Sequence, residues 1–354
     1  MIKNDTLIIL DSLKYKEKEK ELKQSLADSC KPEFYYTYYE NALVKFFHGL
    51  PLIGNFLSHL SYWTISFNAA LRLFFGKKGF TRKIFINPIV AIFYCFLVSL
   101  FHRKETIVIA GFLFEDKENK LYFRMRMAFV NYCYKHVSRI IVYSRNEVKL
   151  YADWFPDLAS KFTFVKYGRD FDIFEENVFE SNVPYVASGG VSNRDYKTLV
   201  AAFGLLAVKY PELNCKIVTR PQACSQSNET KNINILYNVR IDTFGSFLDK
   251  SMFVAIPLAD TFLSAGHMAL LEAMYRGKVI LITDIPAVRD YVNEEHVFFY
   301  KPEDAGDLSL QIERLYLNCM NPATILKGAN AKDYYAKHYT FAALLSRIVK
   351  LSNT

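Results

Sequence analysis

Between positions 41 and 104 the chain has no acidic residue, and nowhere are two of its cysteines separated by only two residues. The apolar run near the N-terminus extends over five residues, Thr6 to Leu10, before charge interrupts it. Each absence excludes a class of protein. The six cysteines, at 30, 95, 133, 215, 224 and 319, have neither the spacing nor the neighbouring histidines of a zinc site. They read as reduced thiols, which points to the cytosol. The short N-terminal run is a poor signal peptide and a good first buried strand. No internal repeat of fixed period is present, which argues against a solenoid or propeller. No helix-turn-helix, zinc-finger or RNA-recognition pattern accompanies the basic residues, so nucleic acid is not the expected partner.

What is present is the composition of an ordinary globular chain. Hydrophobic residues make up 51% and charged residues 23% of 354 positions, a balance that excludes disordered and collagenous chains. At about 150 residues per domain, two domains are expected. Aromatic residues reach 16%, chiefly 30 Phe and 24 Tyr, and such side chains favour interfaces as readily as cores. The net charge of +8 is unevenly spread. Residues 1–170 hold 26 Lys and Arg against 16 Asp and Glu, whereas residues 171–354 hold 18 against 20. Within the acid-free stretch lie eight basic residues (Lys45, Arg72, Lys77, Lys78, Arg82, Lys83, Arg103 and Lys104) and fourteen aromatics, including Trp63. This composition suits peripheral binding to an anionic membrane surface. Ile84 to Phe101 is uncharged over eighteen residues. Pro88, Asn87 and Ser99 dilute it, so it reads as a buried or interfacial helix, with a membrane span as the alternative.

Short apolar runs alternate with longer amphipathic ones, the pattern of a parallel α/β sheet. The clearest strands are Thr6–Leu10, Thr106–Ala110, Arg139–Tyr143, Tyr185–Ser188, Lys216–Thr219, Met252–Pro257 and Val279–Thr283. Apolar residues recur at helical spacing through Asp195–Lys209 and Ala269–Arg276. Tyr167 to Pro184 has neither period and reads as an interdomain linker and hinge.

The chemistry concentrates in Ser264-Ala-Gly-His-Met-Ala-Leu-Leu-Glu-Ala-Met. A strand ending at Pro257 leads through a loop to Ala265 and Gly266, which open a helix. Gly266 leaves room for a ligand, and the unpaired N–H groups of a helix start form an anion site suited to a diphosphate. Glu272, one and a half turns on, is placed to accept hydrogen bonds from a ribose. The plainer reading is an α/β crossover with a surface glutamate.

The segment LLEAMYRGKVILITD, with Ala287-Val-Arg-Asp-Tyr291, resembles the nucleotide-sugar site of GT-B glycosyltransferases, particularly family 4 (group 1). Three further segments fall in the matching order: Arg139-Ile-Ile-Val-Tyr-Ser144 with Glu147, Val165-Lys-Tyr-Gly-Arg-Asp170, and Ser188-Gly-Gly-Val-Ser-Asn-Arg-Asp-Tyr-Lys197. The resemblance spans about residues 105–320 well. It implies an α/β GT-B fold of two Rossmann-like domains facing across a cleft. Their expected extents are an acceptor-side domain at 1–170, a nucleotide-sugar domain at 171–338, and a helix at 339–354 returning to the first. It also implies sugar transfer from a nucleoside diphosphate sugar to a glycan or lipid-linked acceptor, with retention and without metal or other cofactor. The setting would be surface polysaccharide or glycolipid synthesis at the cytoplasmic face of a membrane.

Arg194 falls where the family has a diphosphate-contacting lysine, and Gly189, Gly190 and Asn193 belong to the same loop. A neighbouring family arginine has no counterpart, and Lys197 or Arg220 would replace it. Of two family glutamates, Glu272 matches the second, while Ser264 stands at the first. His267, beside the phosphate site, is either a neutral hydrogen-bond donor to phosphate or sugar, or a packing residue. Glu115 follows Thr106–Ala110, at a strand end where α/β sheets place ligands; it is an acceptor-side candidate or an exposed turn. Ser264 and the missing family arginine, whose neighbourhood Gly189, Gly190 and Val191 occupy, also admit a catalytically silent scaffold that binds a nucleotide or a partner glycosyltransferase, and a nucleotide-sugar epimerase is a third reading.

Overall fold

A computed structural model describes residues 6–37, 54–77, 79–116, 118–172, 179–224, 232–237, 239–260, 263 and 266–353. The chain divides into two compact units, residues 1–165 with 345–354, and residues 166–344. The first contains β1 (Thr6–Leu10), α1 (Lys14–Glu17), α2 (Glu19–Ser25), β2 (Glu33–Tyr36), α3 (Gly54–Gly76), β3 (Arg82–Phe85), α4 (Pro88–Phe101), β4 (Thr106–Ala110), α5 (Lys120–Tyr134), β5 (Arg139–Val142), α6 (Arg145–Trp154) and β6 (Phe162–Phe164). Its strands pair in parallel in the order β2-β1-β3-β4-β5-β6. Every residue of β1 is buried. Central strands of a parallel sheet are covered on both faces, and so read as unbroken apolar runs.

The second unit contains β7 (Tyr185–Gly189), α7 (Tyr196–Leu206), β8 (Asn214–Thr219), β9 (Ile233–Tyr237), α8 (Phe244–Asp249), β10 (Val254–Ile256), α9 (His267–Tyr275), β11 (Ile280–Thr283), α10 (Pro286–Arg289), β12 (Phe298–Tyr300), α11 (Ala305–Asn318) and α12 (Pro322–His338). The last helix, α13 (Phe341–Ser352), runs from this unit into the closing residues of the first. The second sheet is also parallel, in the order β12-β11-β10-β7-β8-β9. Its strand order reverses between β7 and β10. A doubly wound sheet opens a crevice at the carboxyl ends of the two strands flanking such a reversal, and ligands bind there. In the first sheet the reversal lies between β1 and β3.

Local signals explain several boundaries. Ser144 and Glu147 form a capping box on α6: the Glu147 N–H donates to Ser144 Oγ at 3.1 Å, and the Ser144 N–H donates back to Glu147 Oε2 at 3.1 Å. Glu147 is thus buried as a structural cap. Ile84 and Phe85 belong to β3, and Asn87 caps α4 by accepting from the Ile89 and Val90 N–H groups at 2.9 and 3.1 Å. The uncharged stretch is therefore part strand and part helix, and α4 has only 14 residues. No described helix is long and apolar enough to cross a membrane, so the spanning alternative for Ile84–Phe101 is set aside.

Four of the eight basic residues of the acid-free stretch have partners. The Lys83 side chain is 0% exposed and pairs with Glu105 Oε2 at 3.0 Å, while its ammonium also donates to the Phe80 carbonyl at 2.7 Å. Arg103 stacks on Phe74 at 3.6 Å from the ring centre and lies 3.7 Å from Glu105. Lys77 pairs with Glu33, and Arg82 donates to Asn353 Oδ1 at 2.6 Å. The neutralising partners sit outside the counted window, where a tally along the chain does not see them. Lys45 and Lys78 lie outside the described residues; Arg72 and Lys104 are exposed.

Burial lowers the affinity of the Lys83 ammonium for its proton, and Glu105 opposes that shift. The pair survives because each charge desolvates against the other, with Tyr94 Oη donating to Glu105 Oε2 at 2.5 Å. Replacing Glu105 with Leu strands a buried ammonium, which should cost about 3–5 kcal/mol. The double change Glu105→Leu with Lys83→Met should recover most of it. Urea midpoints at constant m-value measure both; a single variant as stable as the parent would contradict the pairing.

Candidate nucleotide site

The loops after β7 and β10, at the strand-order reversal, are stitched together by their backbones. The Asp195 N–H donates to the Pro257 carbonyl at 3.2 Å, and the Ala259 N–H donates to the Asn193 carbonyl at 3.1 Å. Gly190 has φ +119°, a conformation that favours glycine. Its carbonyl accepts from Tyr196 Oη and Thr219 Oγ1, both at 2.7 Å. Asn193 adopts φ 51°, within the left-handed region that asparagine tolerates.

Arg194 fills the space these loops enclose. Its Nε donates to the Gly189 carbonyl at 2.9 Å, and its Nη1 to the Ser192 carbonyl at 3.4 Å. A Cβ on Gly190 would stand 2.2 Å from Arg194 Nη2, and a Cβ on Gly266 would stand 3.3 Å from Nη1 and 2.9 Å from Leu258 Cδ2. The guanidinium therefore occupies volume that two glycines leave open. Gly266 has φ +78° and begins α9 without a side-chain cap, so amides of the first turn have no capping oxygen. Burial disfavours the charge on Arg194 and lowers its pKa, while Tyr196 opposes that shift.

His267, the first residue of α9, is buried and packs on Tyr291 with ring centres 4.2 Å apart. Its pKa is pushed down to about 4, first by burial, with Arg194 adding to the effect. A hydrogen bond with the Ala287 backbone works the other way. Because that bond favours the protonated ring, the ring N–H donates and the Ala287 carbonyl accepts. Nε2 makes no hydrogen bond with the described residues, and in the neutral ring it carries the lone pair. In this tautomer the atom can accept a hydrogen bond from a ligand.

Leu270, Leu271, Ala273 and Met274 pack α9 into the core and turn Glu272 the other way. The Glu272 carboxylate lies 3.5 Å from Arg276 Nε, and Arg276 also reaches Asp249 Oδ2 at 2.5 Å. Burial raises the Glu272 pKa; Arg276 and, more weakly, Arg169 oppose it.

Arg169 was not singled out from sequence, because it lies in the segment read as a linker. The structure fastens the start of that segment, Tyr167 to Arg169, within the second unit. The Tyr167 N–H donates to Tyr291 Oη at 2.8 Å, the Arg169 N–H to the Tyr339 carbonyl at 2.9 Å, and Tyr335 Oη to the Arg169 carbonyl at 2.6 Å. A Cβ on Gly168 would meet the Thr340 carbonyl at 2.6 Å. This clamp brings Arg169 Nη1 to 3.7 Å from Met268 Sδ on the first turn of α9. Among the described residues Arg169 makes no ion pair.

The other candidates separate from this cluster. Lys197 is exposed on α7 and Arg220 is exposed after β8. Ser264 and Ala265 lie outside the described residues. Glu115, in the first unit, is exposed; its carbonyl accepts from Arg126 Nη1 at 3.4 Å, and the adjacent Asp116 pairs with Lys120 at 2.9 Å. Among the described residues no three His, Cys, Asp or Glu side chains form a metal-holding group.

Residues 181–318 match the family model described as Glycosyl transferases group 1. Whole-chain comparison extends the likeness to both units. A glycosyltransferase from Rickettsia africae ESF-5 superposes with a TM-score of 0.62 at 12% identity, over 98% of this chain and 97% of that one. Sucrose-phosphate synthase from Thermosynechococcus elongatus gives 0.63 at 13%, over 99% and 98%. Alr3699/HepE from Anabaena, in complex with UDP-glucose, gives 0.63 at 13%, over 99% of each chain. The chain has the GT-B glycosyltransferase fold. No curated protein matches it in sequence. The matched residues 181–318 include the β7 and β10 loops and the whole of α9, and hence Arg194, Gly266, His267 and Glu272.

Burial of His267 has a stability consequence. Its folded pKa, about 4, lies below the ordinary value of 6.5, so the unfolded chain binds the extra proton between those limits. Stability should be greatest above pH 6.5, fall as pH drops toward 4 by up to about 3 kcal/mol, and then level off for this group. Denaturant midpoints of the parent and His267→Gln, compared over that range, isolate the contribution; identical slopes would show that the ring titrates normally.

Proposed function

We propose that this glycosyltransferase is a retaining enzyme that moves a hexose from a nucleoside diphosphate sugar to a glycan or lipid-linked acceptor, without a metal. The observation that carries the reading is the Arg194 guanidinium, held between Gly190 and Gly266 at the start of α9. Alr3699/HepE, bound to UDP-glucose, supports a nucleotide sugar as donor.

The donor's diphosphate lies at the α9 start, against the amides near Gly266 and Ala265, with Arg194 as its main cation and Arg169 as a second. Arg169 replaces the missing family arginine better than Lys197 or Arg220, since its backbone is clamped and its charge lies beside α9. As the bond from anomeric carbon to diphosphate oxygen breaks, that oxygen keeps the electron pair. Fixed cations and helix-start N–H groups stabilise the growing charge without reorganising. Glu272 takes the ribose hydroxyls. His267 Nε2, an acceptor, takes a hydroxyl O–H of the sugar, and Ser264 is assigned to the same hydroxyl network. Gly189 and Asn193 shape the loop rather than react. Glu115 remains the acceptor-side candidate. The enzyme works in surface polysaccharide or glycolipid synthesis, as a cytoplasmic protein held peripherally at the inner membrane face.

The pairing of Glu272 with Arg276 favours one alternative, a catalytically silent nucleotide-binding scaffold. Titration calorimetry with UDP, GDP and CMP, followed by donor-sugar hydrolysis, separates the readings. Arg194→Ala and Glu272→Ala should each weaken the preferred nucleotide at least about tenfold, as expected for losing a charged hydrogen bond. Arg169→Ala should weaken the diphosphate but leave the nucleoside unaffected. Binding without hydrolysis or transfer would favour the scaffold; no binding of any nucleotide would remove the donor-site assignment.

A further inference from the structure

Helices α3, α4 and α5 stand side by side on one unit, with α4 packed against both neighbours. All three lack Asp and Glu entirely. An apolar and aromatic strip runs across their surface, beside exposed polar residues such as Thr64, Asn68 and Arg124. Trp63 and Phe67 of α3 meet Phe93 of α4 at ring separations of 6.4 and 5.5 Å, and Phe96 of α4 meets Phe129 and Tyr132 of α5 at 6.1 and 6.2 Å. The strip continues along α5 through Met125, 64% exposed, to Leu121, 70% exposed. Leu121, Met125, Phe129 and Tyr132 recur at helical spacing, opposite the buried Val130, Cys133 and Tyr134. This helix therefore has two apolar faces, only one of which the fold uses. Extended exposed apolar patches mark docking sites.

The charges around the strip identify its occupant. Arg72, Arg124 and Lys135 are exposed on or beside these helices, and Lys135 Nζ lies 4.8 Å from the Tyr132 ring centre. The exposed acids Glu115, Asp116 and Glu118 precede α5, and Asp116 pairs with Lys120; a second copy pairing through this face would set Arg72, Arg124 and Lys135 against their own kind, which disfavours self-association. An anionic bilayer accepts both components: aromatic rings settle at the headgroup level, and long basic side chains reach the lipid phosphates. We propose that the α3–α4–α5 face is an interfacial membrane-docking surface that inserts Trp63, Phe67, Met125 and Phe129 into the headgroup region of an anionic leaflet. The inference rests on the reading of this protein as a peripheral membrane enzyme, and it relocates the contact from the basic residues around Lys83 to an aromatic face that includes α5.

The full-length protein should co-sediment with vesicles containing phosphatidylglycerol more than with pure phosphatidylcholine, and the fluorescence of Trp63 should shift to the blue on binding. Trp63 and Trp154 are the two tryptophans, so Trp63→Phe should remove the shift while preserving most binding. Leu121→Ser with Met125→Ser and Phe129→Ser, all at exposed positions, should reduce binding at least about tenfold while nucleotide binding is retained. Arg124→Glu should reduce it about fivefold, the value of one basic contact near an anionic surface, ~1 kcal/mol. Vesicle binding that none of these changes alters would overturn this face and leave peripheral association standing. No vesicle binding by a protein that still binds nucleotide would overturn peripheral association itself. A stable dimer that the serine triple variant dissolves would assign the face to protein contact and overturn the proposal.

Discussion

The Arg194 guanidinium is the point around which the second unit's crevice is organised. It takes a carbonyl hydrogen bond at the end of β7 and fills the volume that Gly190 and Gly266 leave empty. Two loops from opposite halves of the sheet meet at that cation. Backbone bonds from Asp195 to Pro257 and from Ala259 to Asn193 keep them together. A side chain held on both sides in this way loses little freedom when an anion arrives, which is the condition under which electrostatic stabilisation is most effective. The same burial that fixes Arg194 makes its charge costly in the empty site, and an anionic ligand would offset that cost.

Burial also decides what each nearby titrating group can do. His267 is kept neutral by its surroundings, and its N–H is committed to a backbone carbonyl, which leaves an acceptor at Nε2. Glu272 is pulled two ways, toward protonation by burial and toward ionisation by Arg276. In the first unit, Lys83 is a lysine in name but a core residue in role, spending its charge on Glu105. Residue type alone predicts none of these states.

The segment following Val165 shows how a turn with no periodicity acquires a defined place. Gly168 admits the close approach of the Thr340 carbonyl, the Tyr339 carbonyl accepts from the Arg169 N–H, and the hydroxyls of Tyr291 and Tyr335 bond the backbone at Tyr167 and Arg169. Arg169 is carried to α9 as a consequence. Aromatic hydroxyls do this work well because a rigid ring can bury its body and still offer a polar tip.

Seven strands of the two sheets and the helix start at Gly266 were legible in the sequence, because periodicity and glycine placement are local properties of the chain. Short edge strands such as β2, β6 and β12 gave weak signals, since three or four residues carry almost no period. The Ser144–Glu147 pairing was visible as a pattern, but its service as a helix cap required the observed bonds. The placement of Arg169 beside α9, the burial of His267 and the neutralisation of Lys83 belong to the tertiary structure alone. Each depends on groups tens or hundreds of positions away, and sequence distance says nothing about the dielectric or the partner a side chain meets. The chain by itself determined the architecture; the packing of distant segments decided which charges are paired inside and which remain exposed.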